Sequence, residues 1–271
     1  MGKFDGYLFV SDFDGTLTDL NHRVSEENIR AAEEFISEGG IFTVATGRAY
    51  SSYRKISGIV PINAPAVLAN GAQLYDFGKN ELISGVPLPE RAREILPEVM
   101  ERFPRAAMEI YTFDRVFAFN PNEITYEHLG VAGVRPDFAP PGEIGFPWFK
   151  ALFAGMPEEL TPVRDYFKRH FSGELSAFFS SEYLIEVLSP LASKGAAVRE
   201  LAERLGIPRE RVCCAGDNDN DRDMLEYAAY GFAPGWCSEA VSRIPGIYIV
   251  GNEGADTVAA ALNLLSGEIR R

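Results

Sequence analysis

Cysteine and histidine are scarce in this sequence, with three of each among 271 residues. Cys213 and Cys214 are adjacent and Cys237 stands apart, which gives neither a disulfide framework nor the spacing of a zinc site. The three histidines are scattered along the chain as well. We therefore expect a reducing, cytoplasmic setting, and a metal bound by this chain would need oxygen ligands.

Positive charge is also in short supply, because 26 Lys and Arg residues face 39 Asp and Glu residues and the net charge is −13. No run of five or more basic residues occurs. A nucleic-acid backbone or an anionic membrane binds to a basic face, so we expect no nucleic acid and no membrane as a partner. A small anionic substrate would need a metal or a few well-placed cations to overcome this field.

Long hydrophobic runs are missing too, and the longest apolar stretches are far shorter than a membrane span. The first residues, MGKFDGYLFV, lack the cationic-then-apolar pattern of a signal peptide, which again favours a cytoplasmic protein. The sequence contains no P-loop, no nucleophile elbow and no dinucleotide-binding glycine motif. We expect a monomer or a dimer.

Strand and helix patterns alternate in the first and last thirds of the chain. Helices are expected after Ser25 and Ser193, and another over residues 220–231. Because helices separate the strands and most strands are apolar throughout, the pattern predicts a doubly wound, parallel-sheet α/β core of the Rossmann-like kind. The predicted strands are YLFV (7–10), IFTVAT (41–46), AVLAN (66–70), RVCCAG (211–216) and GIYIVG (246–251).

The middle of the chain has a different pattern. Residues 107–120 and 174–188 each contain two β-type runs with a short polar break, which predicts two antiparallel hairpins. Each hairpin follows a helical stretch. We therefore predict an inserted α+β domain, and divide the chain into residues 1–84 (core), 85–187 (insertion) and 188–271 (core).

Polar residues follow three of the predicted core strands. Asp12 follows YLFV, Thr46 closes IFTVAT, and Asp217 follows RVCCAG. Ligands of a parallel sheet bind beyond the carboxyl ends of its strands, so these side chains are expected at one edge. Lys194 begins a helix, where a cation opposes the helix dipole unless an anion faces it. The alternatives are helix-capping aspartates and a solvated lysine.

The segment GDNDND (216–221) also has the spacing of a calcium loop over its first three ligands. The match then fails, because Arg222 occupies the position of the required glycine and Ala228 that of the bidentate glutamate. Carboxylates without a histidine cluster suit Mg²⁺, which Asp12 and Asp217 could bind together. The metal would attract a phosphate into this acidic protein.

Phosphoryl transfer gives the two closely spaced carboxylates, Asp12 and Asp14, separate tasks. One could attack phosphorus, and the other could protonate the leaving oxygen and later activate water. Thr46 and Lys194 would then hold the phosphoryl oxygens. The spacing alone does not assign the two roles.

Four segments in this order resemble the motifs of the haloacid dehalogenase superfamily: DFDGT (12–16), ATGR (45–48), SKG (193–195) and GDNDND (216–221). The large insertion and the NGA at 70–72 are similar to the Cof-type sugar-phosphatase branch. The resemblance implies that Asp12 is the nucleophile and Asp14 the general acid/base. It implies a Mg²⁺ site formed by Asp12, the main-chain carbonyl of Asp14, and Asp217, supported by Asp221.

The same resemblance implies a set of substrate-binding residues. Gly47 and Arg48 would lie near the phosphate, although Arg48 could instead form a structural ion pair. Asn220 would support the metal and Lys194. The hairpin tips of the insertion could select the substrate, or could be ordinary solvated turns. The predicted substrate-binding residues are Gly47, Arg48, Asn70 and Asn220 from the resemblance, and Arg115 and Glu182 from the two hairpin tips.

Two segments depart from the family pattern. In APGWCSE (233–239), Trp236 occupies the place of an expected asparagine, and GNEGADTV (251–258) keeps Asn252 without the usual Glu-Asp-Gly after it. The function implied by the resemblance is a Mg²⁺-dependent phosphatase that acts on a small phosphorylated metabolite, a sugar phosphate first of all. The alternatives are a phosphomutase of the phosphomannomutase type and a non-catalytic phosphosugar sensor.

Overall fold

A computed structural model describes residues 2–19, 22–251 and 256–269. The chain forms two compact units. The first contains Met1–Gly47, Ser57–Ser84 and Ser193–Arg271, and the second contains Arg48–Ile56 and Gly85–Ala192. The short segment Arg48–Ile56 thus belongs with the inserted unit, whereas the sequence analysis assigned it to the core.

The strands of both units follow one another in chain order, and we number them accordingly. They are β1 (Leu8–Asp12), β2 (Ile41–Ala45), β3 (Ala66–Leu68), β4 (Gln73–Asp76), β5 (Glu81–Gly85), β6 (Ala107–Tyr111), β7 (Val116–Phe119), β8 (Lys150–Ala154), β9 (Ser176–Ser181), β10 (Leu184–Leu188), β11 (Val212–Ala215), β12 (Tyr230–Pro234) and β13 (Tyr248–Val250).

The helices are numbered in the same way, and short single turns are left out. They are α1 (Glu26–Ser37), α2 (Tyr50–Tyr53), α3 (Ala92–Arg102), α4 (Glu123–Val131), α5 (Pro157–His170), α6 (Lys194–Leu205), α7 (Arg222–Tyr227), α8 (Glu239–Ser242) and α9 (Thr257–Glu268). Among the described residues, none of these helices has the length and apolarity that a membrane span requires.

The first unit contains an eight-stranded sheet in the order β13-β12-β11-β1-β2-β3-β4-β5. Neighbouring strands from β13 to β3 pair in parallel, which confirms the predicted parallel α/β core. β3 and β4 pair antiparallel, so the sheet has an edge that the sequence analysis did not predict. The sequence does contain a signal for this hairpin, because Asn-Gly is a dipeptide typical of tight hairpin turns. In the structure, Asn70 and Gly71 both have the positive φ that such a turn requires.

Aromatic packing fixes the central strand of this sheet. Phe9 in β1 stacks on Phe42 and Phe232 from two other strands, with ring centroids 5.7 and 6.0 Å apart, and meets Phe35 of α1 edge-on. Leu8 and its alternate neighbours on β1 face the opposite side, where they pack in a cluster that includes α6 and α7. Both faces of β1 are therefore buried, as expected for a central parallel strand.

The predicted starts of two helices are confirmed by their caps. Ser25 precedes α1, and its hydroxyl accepts a hydrogen bond from the Asn28 N–H at 3.1 Å. Ser193 precedes α6, and its hydroxyl accepts from the Ala196 N–H at 3.1 Å. These caps place the first residue of each helix, and for α6 that residue is Lys194.

The helix predicted over residues 220–231 was wrong at its end. α7 stops at Tyr227, and β12 begins at Tyr230. The apolar, aromatic run in this region fits a helix or a buried strand equally well by periodicity, so the sequence pattern did not mark the change.

The second unit contains a five-stranded antiparallel sheet in the order β7-β6-β8-β10-β9. The two predicted hairpins are its outer pairs, β6 with β7 and β9 with β10. One face of the sheet packs against α3 and α5 in an apolar core that includes Ile110, Phe153 and Phe167. Pro97 does not end α3, and the helix runs through it to Arg102.

Candidate active site

The first unit brings three predicted side chains to one edge of its sheet. Asp12 is the last residue of β1, which lies between β2 and β11. The register pairs Asp12 with Ala45, so Thr46 follows directly beside it, and Asp217 follows the end of β11 by two residues. The parallel direction of these strands is what places all three at their common carboxyl end.

Lys194 reaches this edge from the first turn of α6. Its side chain is 1% exposed, and its ammonium donates to Oδ1 of Asp12 and to Oδ1 of Asp221, each at 2.5 Å. The second carboxylate oxygen of Asp221 accepts the backbone N–H groups of Asp217 and Asn218, both at 3.0 Å. Asp221 therefore holds the lysine and shapes the loop that carries Asp217.

Asp217 is oriented by the loop that follows β1. The Thr16 hydroxyl donates to Oδ1 of Asp217 at 2.7 Å. Gly15 has φ +88°, and a Cβ at this position would lie 2.7 Å from Oδ2 of Asp217. The DFDGT turn therefore needs glycine for its backbone conformation and for the close approach of the carboxylate.

Three carboxylates gather around a single buried ammonium. One oxygen from each of Asp12, Asp217 and Asp221 lies within 4.8 Å of the others. Burial raises the pKa of Asp12, which Lys194 opposes and the two other carboxylates reinforce. Burial and the neighbouring Asp221 raise the pKa of Asp217 from 3.8 to about 6. The cluster thus carries more negative charge than Lys194 can balance.

Lys194 itself stays protonated in this cluster. Burial alone would lower its pKa, but the carboxylates of Asp12 and Asp221 raise it above the ordinary value. The remaining negative charge and the all-oxygen donor set fit a hard divalent cation such as Mg²⁺. Asp12 and Asp217 are the carboxylates available to such an ion, since Asp221 already binds Lys194 and two backbone amides.

Asp14 occupies a different environment from Asp12. Its side chain is 34% exposed, and its Oδ1 lies 3.6 Å from Nδ1 of His22. Sequence reasoning did not connect His22 with the site. The φ of His22 is +59°, and no recognisable sequence motif marks this residue.

Asn70 links two of the motif segments. Its backbone N–H donates to the Thr46 carbonyl at 3.0 Å, and its Oδ1 accepts from the Asn220 side chain at 2.9 Å. A Cβ on Gly47 would lie 3.2 Å from the Asn70 amide nitrogen. Thr46, Gly47, Asn70 and Asn220 therefore lie next to one another at the site. The positive φ of Asn70 sets the direction of the chain there.

Trp236 occupies the position at which the family pattern has an asparagine. Its indole N–H donates to the carbonyl of Gly15 at 2.9 Å, and the Ser238 N–H donates to the carbonyl of Asp217 at 2.7 Å. The tryptophan thus braces the DFDGT turn by a hydrogen bond to its backbone. The other departure from the family pattern, at Asn252, lies outside the described residues.

The remaining predicted residues, Arg48, Arg115 and Glu182, belong to the second unit. Arg115 lies in the turn between β6 and β7, where its Nε donates to Asp137 at 2.8 Å and its guanidinium lies 4.7 Å from the Phe117 ring centroid. Glu182 is exposed in the turn between β9 and β10.

The structure does not bring these two turns together. β6 and β10 both pair antiparallel with β8, so they run in the same direction. The β6–β7 turn follows Tyr111, which pairs with Lys150, whereas the β9–β10 turn precedes Leu184, which pairs with Ala154 at the other end of β8. The two turns therefore lie at opposite ends of the strands, separated by about 15 Å along the strand direction for a five-residue strand.

Buried charges on the second sheet were missed by the sequence analysis. Glu109 is fully buried, accepts a hydrogen bond from the Tyr111 hydroxyl and lies 3.1 Å from Nδ1 of His128. Lys150 lies 3.0 Å from Glu186. Burial, and then Glu109, raise the pKa of Tyr111, so its hydroxyl remains a donor. The available signal was the single charged residue in each of these otherwise apolar strands.

Comparison with known proteins places this geometry in a family. The haloacid dehalogenase-like hydrolase family matches residues 9–262. The chain belongs to this family. The match confirms the resemblance inferred from the motifs, and it spans the strands that carry the site as well as the inserted unit.

Individual members of the family were also compared. A phosphatase of Bacillus subtilis, YwpJ, is 30% identical over 88% of this chain and 92% of its own. An HMP-PP phosphatase of Serratia proteamaculans is 26% identical over 93% and 92%. A haloacid dehalogenase-like hydrolase structure from Bacteroides thetaiotaomicron superposes with a TM-score of 0.86 at 22% identity, over 96% and 99%, and supports the fold. The protein is a haloacid dehalogenase-type phosphatase, a phosphoric monoester hydrolase.

The raised pKa of Asp217 predicts how the metal-free protein responds to pH. Between 3.8 and about 6 the folded protein binds a proton that the unfolded chain has released, so stability falls as pH rises through this window. Without divalent metal at about pH 7, Asp217→Asn should therefore have a higher Tm than the wild type. The difference should shrink at about pH 5, because Asp217 is then largely protonated.

Thermal unfolding with and without Mg²⁺ checks this prediction. Mg²⁺ should raise the Tm of the wild type and have little effect on Asp217→Asn, because the variant has lost a metal ligand. Asp219→Asn is the matched control, since it removes an exposed charge from the same loop but lies outside the carboxylate cluster. Equal Mg²⁺ responses in the wild type and Asp217→Asn would contradict the metal site.

Proposed function

We propose that this phosphatase uses Mg²⁺ and an aspartyl-phosphate on Asp12 to hydrolyse phosphomonoesters of small metabolites, with sugar phosphates as the first candidates. The observation that supports this proposal is the buried contact of Asp12 with Lys194, beside two further carboxylates at the carboxyl edge of the sheet. A bound Mg²⁺ would neutralise charge on the phosphoryl group and draw it towards the cluster.

The different surroundings of the two DFDGT carboxylates support different roles. Asp12 is buried and fixed by an ammonium, as a nucleophile that must attack from one position needs to be. Asp14 is partly exposed, so it can exchange a proton with a leaving group and with water. The structure thus supports the assignment that sequence spacing left open.

The proposed reaction has two displacements. A carboxylate oxygen of Asp12 forms a bond to phosphorus as the bond from phosphorus to the leaving oxygen breaks, and Asp14 gives its proton to that oxygen. Asp14 then removes a proton from water as the water oxygen bonds to phosphorus. The acyl-phosphate bond breaks, which releases inorganic phosphate and restores the Asp12 carboxylate.

The remaining predicted residues fit the handling of the phosphoryl group. Thr46 lies beside Asp12 at the strand ends, and Asn70 and Asn220 are joined to it through hydrogen bonds. We propose that Thr46, Gly47 and Lys194 bind phosphoryl oxygens. Asp221 would serve mainly to hold Lys194, because both of its oxygens are engaged by the protein.

The substrate class follows from charge and from the family. A cluster that accepts a phosphoryl group within a protein of net charge −13 suits a small phosphate ester better than a nucleic acid or a membrane. The relative from Serratia proteamaculans is named for HMP-PP, and at 26% identity that name gives a candidate to test. We propose a cytoplasmic enzyme, as a monomer or a dimer.

A panel of phosphorylated metabolites, assayed for released phosphate with Mg²⁺, tests the proposed function. Sugar monophosphates and HMP-PP should be included with an aryl phosphate. Phosphate release from at least one sugar phosphate, with a kcat/KM well above that for the others, is expected. Isomerisation without phosphate release would instead support a phosphomutase, and binding without turnover would support a sensor.

Asp12→Asn should abolish turnover while the fold is retained. The amide keeps the volume of the carboxylate but is not a nucleophile, so we expect a loss of at least about 10³-fold in kcat. Measured rates on the best substrate of the panel, with circular dichroism as a folding control, check this. A variant that keeps a few per cent of the wild-type rate would contradict covalent catalysis by Asp12.

Asp14→Asn should impair alkyl phosphates more than aryl phosphates. A phenolate-type leaving group departs with little protonation, whereas an alkoxide needs the proton, and general acid catalysis contributes about 10²–10⁴-fold. The measurement is kcat/KM for an alkyl and an aryl phosphate in the wild type and the variant. Equal losses on both substrates would remove Asp14 from the general-acid role.

Of the two hairpin turns, the β6–β7 turn with Arg115 is the better candidate for substrate selection. The Leu88 N–H donates to the Trp148 carbonyl, two residues before β8 begins, and β10 ends at Leu188. The segment Gly85–Ala192 therefore begins and ends at the end of the sheet that carries Arg115. Glu182 lies at the opposite end and provides a matched control.

Arg115→Ala should raise KM for the preferred metabolite about tenfold, because one charge-assisted hydrogen bond is lost, with aryl phosphate hydrolysis nearly unchanged. Glu182→Ala should leave both values near those of the wild type. Steady-state kinetics on the two substrates check the pair. A changed profile in Glu182→Ala alone would place selection at the other turn.

A further inference from the structure

The second unit contains a charged pocket of about 360 Å³, and none of the residues proposed to attack phosphorus, transfer the proton or bind the metal lines it. Three segments form it: α2 with the turn that follows it, the β6–β7 turn, and the loop after α4. Its ionisable lining consists of Arg54, Lys55, Arg115, Arg135, Asp114 and Asp137.

The lining is net positive in a protein that is strongly negative. Four cations face two carboxylates, while the whole chain has a net charge of −13. One carboxylate, Asp137, is already bound to Nε of Arg115 at 2.8 Å. The positive charge of the lining indicates that a ligand would be an anion. Exposed cations are usually solvated, however, so the charge by itself does not define a binding site.

A buried hydroxyl provides the second observation. Ser51 also lines this pocket and is 3% exposed. Within the described residues its Oγ has no hydrogen-bond partner, although it is fully shielded. A buried polar group without a partner is unfavourable and rare in folded proteins, so a ligand that offers this hydroxyl an acceptor would gain a hydrogen bond at little cost. A serine hydroxyl can donate to an anion.

The walls of the pocket are held in place before any ligand binds. The Ser52 hydroxyl donates to the Ala132 carbonyl at 3.1 Å, and Lys55 donates to the Gly133 carbonyl, which joins the α2 segment to the loop after α4. The Tyr50 ring stacks on Phe113 with centroids 4.5 Å apart, which joins the same segment to the β6–β7 turn. A pre-organised site loses less free energy on binding.

We propose that this pocket binds a phosphate group, which accepts a hydrogen bond from Ser51 and is balanced by the guanidinium and ammonium groups around it. A dianion with several acceptor oxygens matches this combination of a hydroxyl donor and multiple cations. The group could belong to a separate phosphorylated ligand or be a second phosphate on a substrate. The proposal does not rest on the proposed reaction, because none of the predicted catalytic or metal-binding residues lines the pocket. Arg115 is the one lining residue that is also proposed above to select the substrate.

Thermal unfolding of the full-length protein with and without inorganic phosphate tests the site. Phosphate should raise the Tm of the wild type, and the rise should be smaller in Ser51→Ala and in Arg135→Ala, as for binding weakened about tenfold. Arg169→Ala removes an exposed cation from α5 of the same unit and should respond like the wild type. Phosphate that binds at the catalytic edge should raise the Tm of the wild type and of the three variants equally, because none of the substitutions lies at that edge.

The stability without phosphate separates this effect from damage to the fold. Ser51→Ala removes a buried hydroxyl that has no partner, so its Tm in the absence of phosphate should equal or exceed that of the wild type. Arg135 is exposed, and its variant should fold normally. The same phosphate-induced rise in all four proteins would overturn the proposal.

Steady-state kinetics then identify the source of the phosphate group. If it belongs to a substrate, Ser51→Ala and Arg135→Ala should raise KM about tenfold for a sugar bisphosphate but not for an aryl monophosphate. If both KM values stay at the wild-type level while the thermal effect persists, the pocket binds a separate phosphorylated ligand. Either result supports the site.

Discussion

The buried contact of Lys194 with Asp12 and Asp221 is the interaction on which the candidate site depends. Three carboxylates and one ammonium share a space from which water is largely excluded, and removal of one partner of such a pair typically costs about 3–5 kcal/mol. Lys194 can occupy this position because Ser193 fixes the first turn of α6. The unbalanced charge that remains makes the site suited to a divalent cation and to a phosphoryl group.

The backbone around this cluster allows the carboxylates to lie close together. Gly15 leaves room for the Asp217 carboxylate, and Trp236 holds the carbonyl of that glycine. The second carboxylate oxygen of Asp221 accepts hydrogen bonds from two backbone amides of the loop that carries Asp217. The carboxylates are thus held close together by the Lys194 ammonium, by hydrogen bonds from uncharged donors and by the backbone conformation of Gly15. The repulsion that remains between them favours the binding of a cation.

Much of the first unit could be predicted because its signals are local. The apolar strand before Asp12, the caps Ser25 and Ser193, and the order of the four motifs all lie within short stretches of chain. The strand β12 was missed because an apolar run of its length fits a helix as well. β4 was missed although the Asn70-Gly71 dipeptide is typical of a hairpin turn. In the second unit the hairpins were predicted, but Glu109, Lys150 and Glu186 were not recognised as buried.

The sequence alone determined the fold class, the family and the residues that meet at the carboxyl ends of the strands, because period, caps and motif order are properties of neighbouring residues. Only the tertiary structure decided which of these groups touch. It showed that Lys194 bonds Asp12 and Asp221, and that Arg115 and Glu182 lie at opposite ends of their sheet. It also showed that the buried Ser51 lines a pocket together with cations from three separate segments. Strand direction, register and packing between remote segments set these distances, and no local pattern contains them.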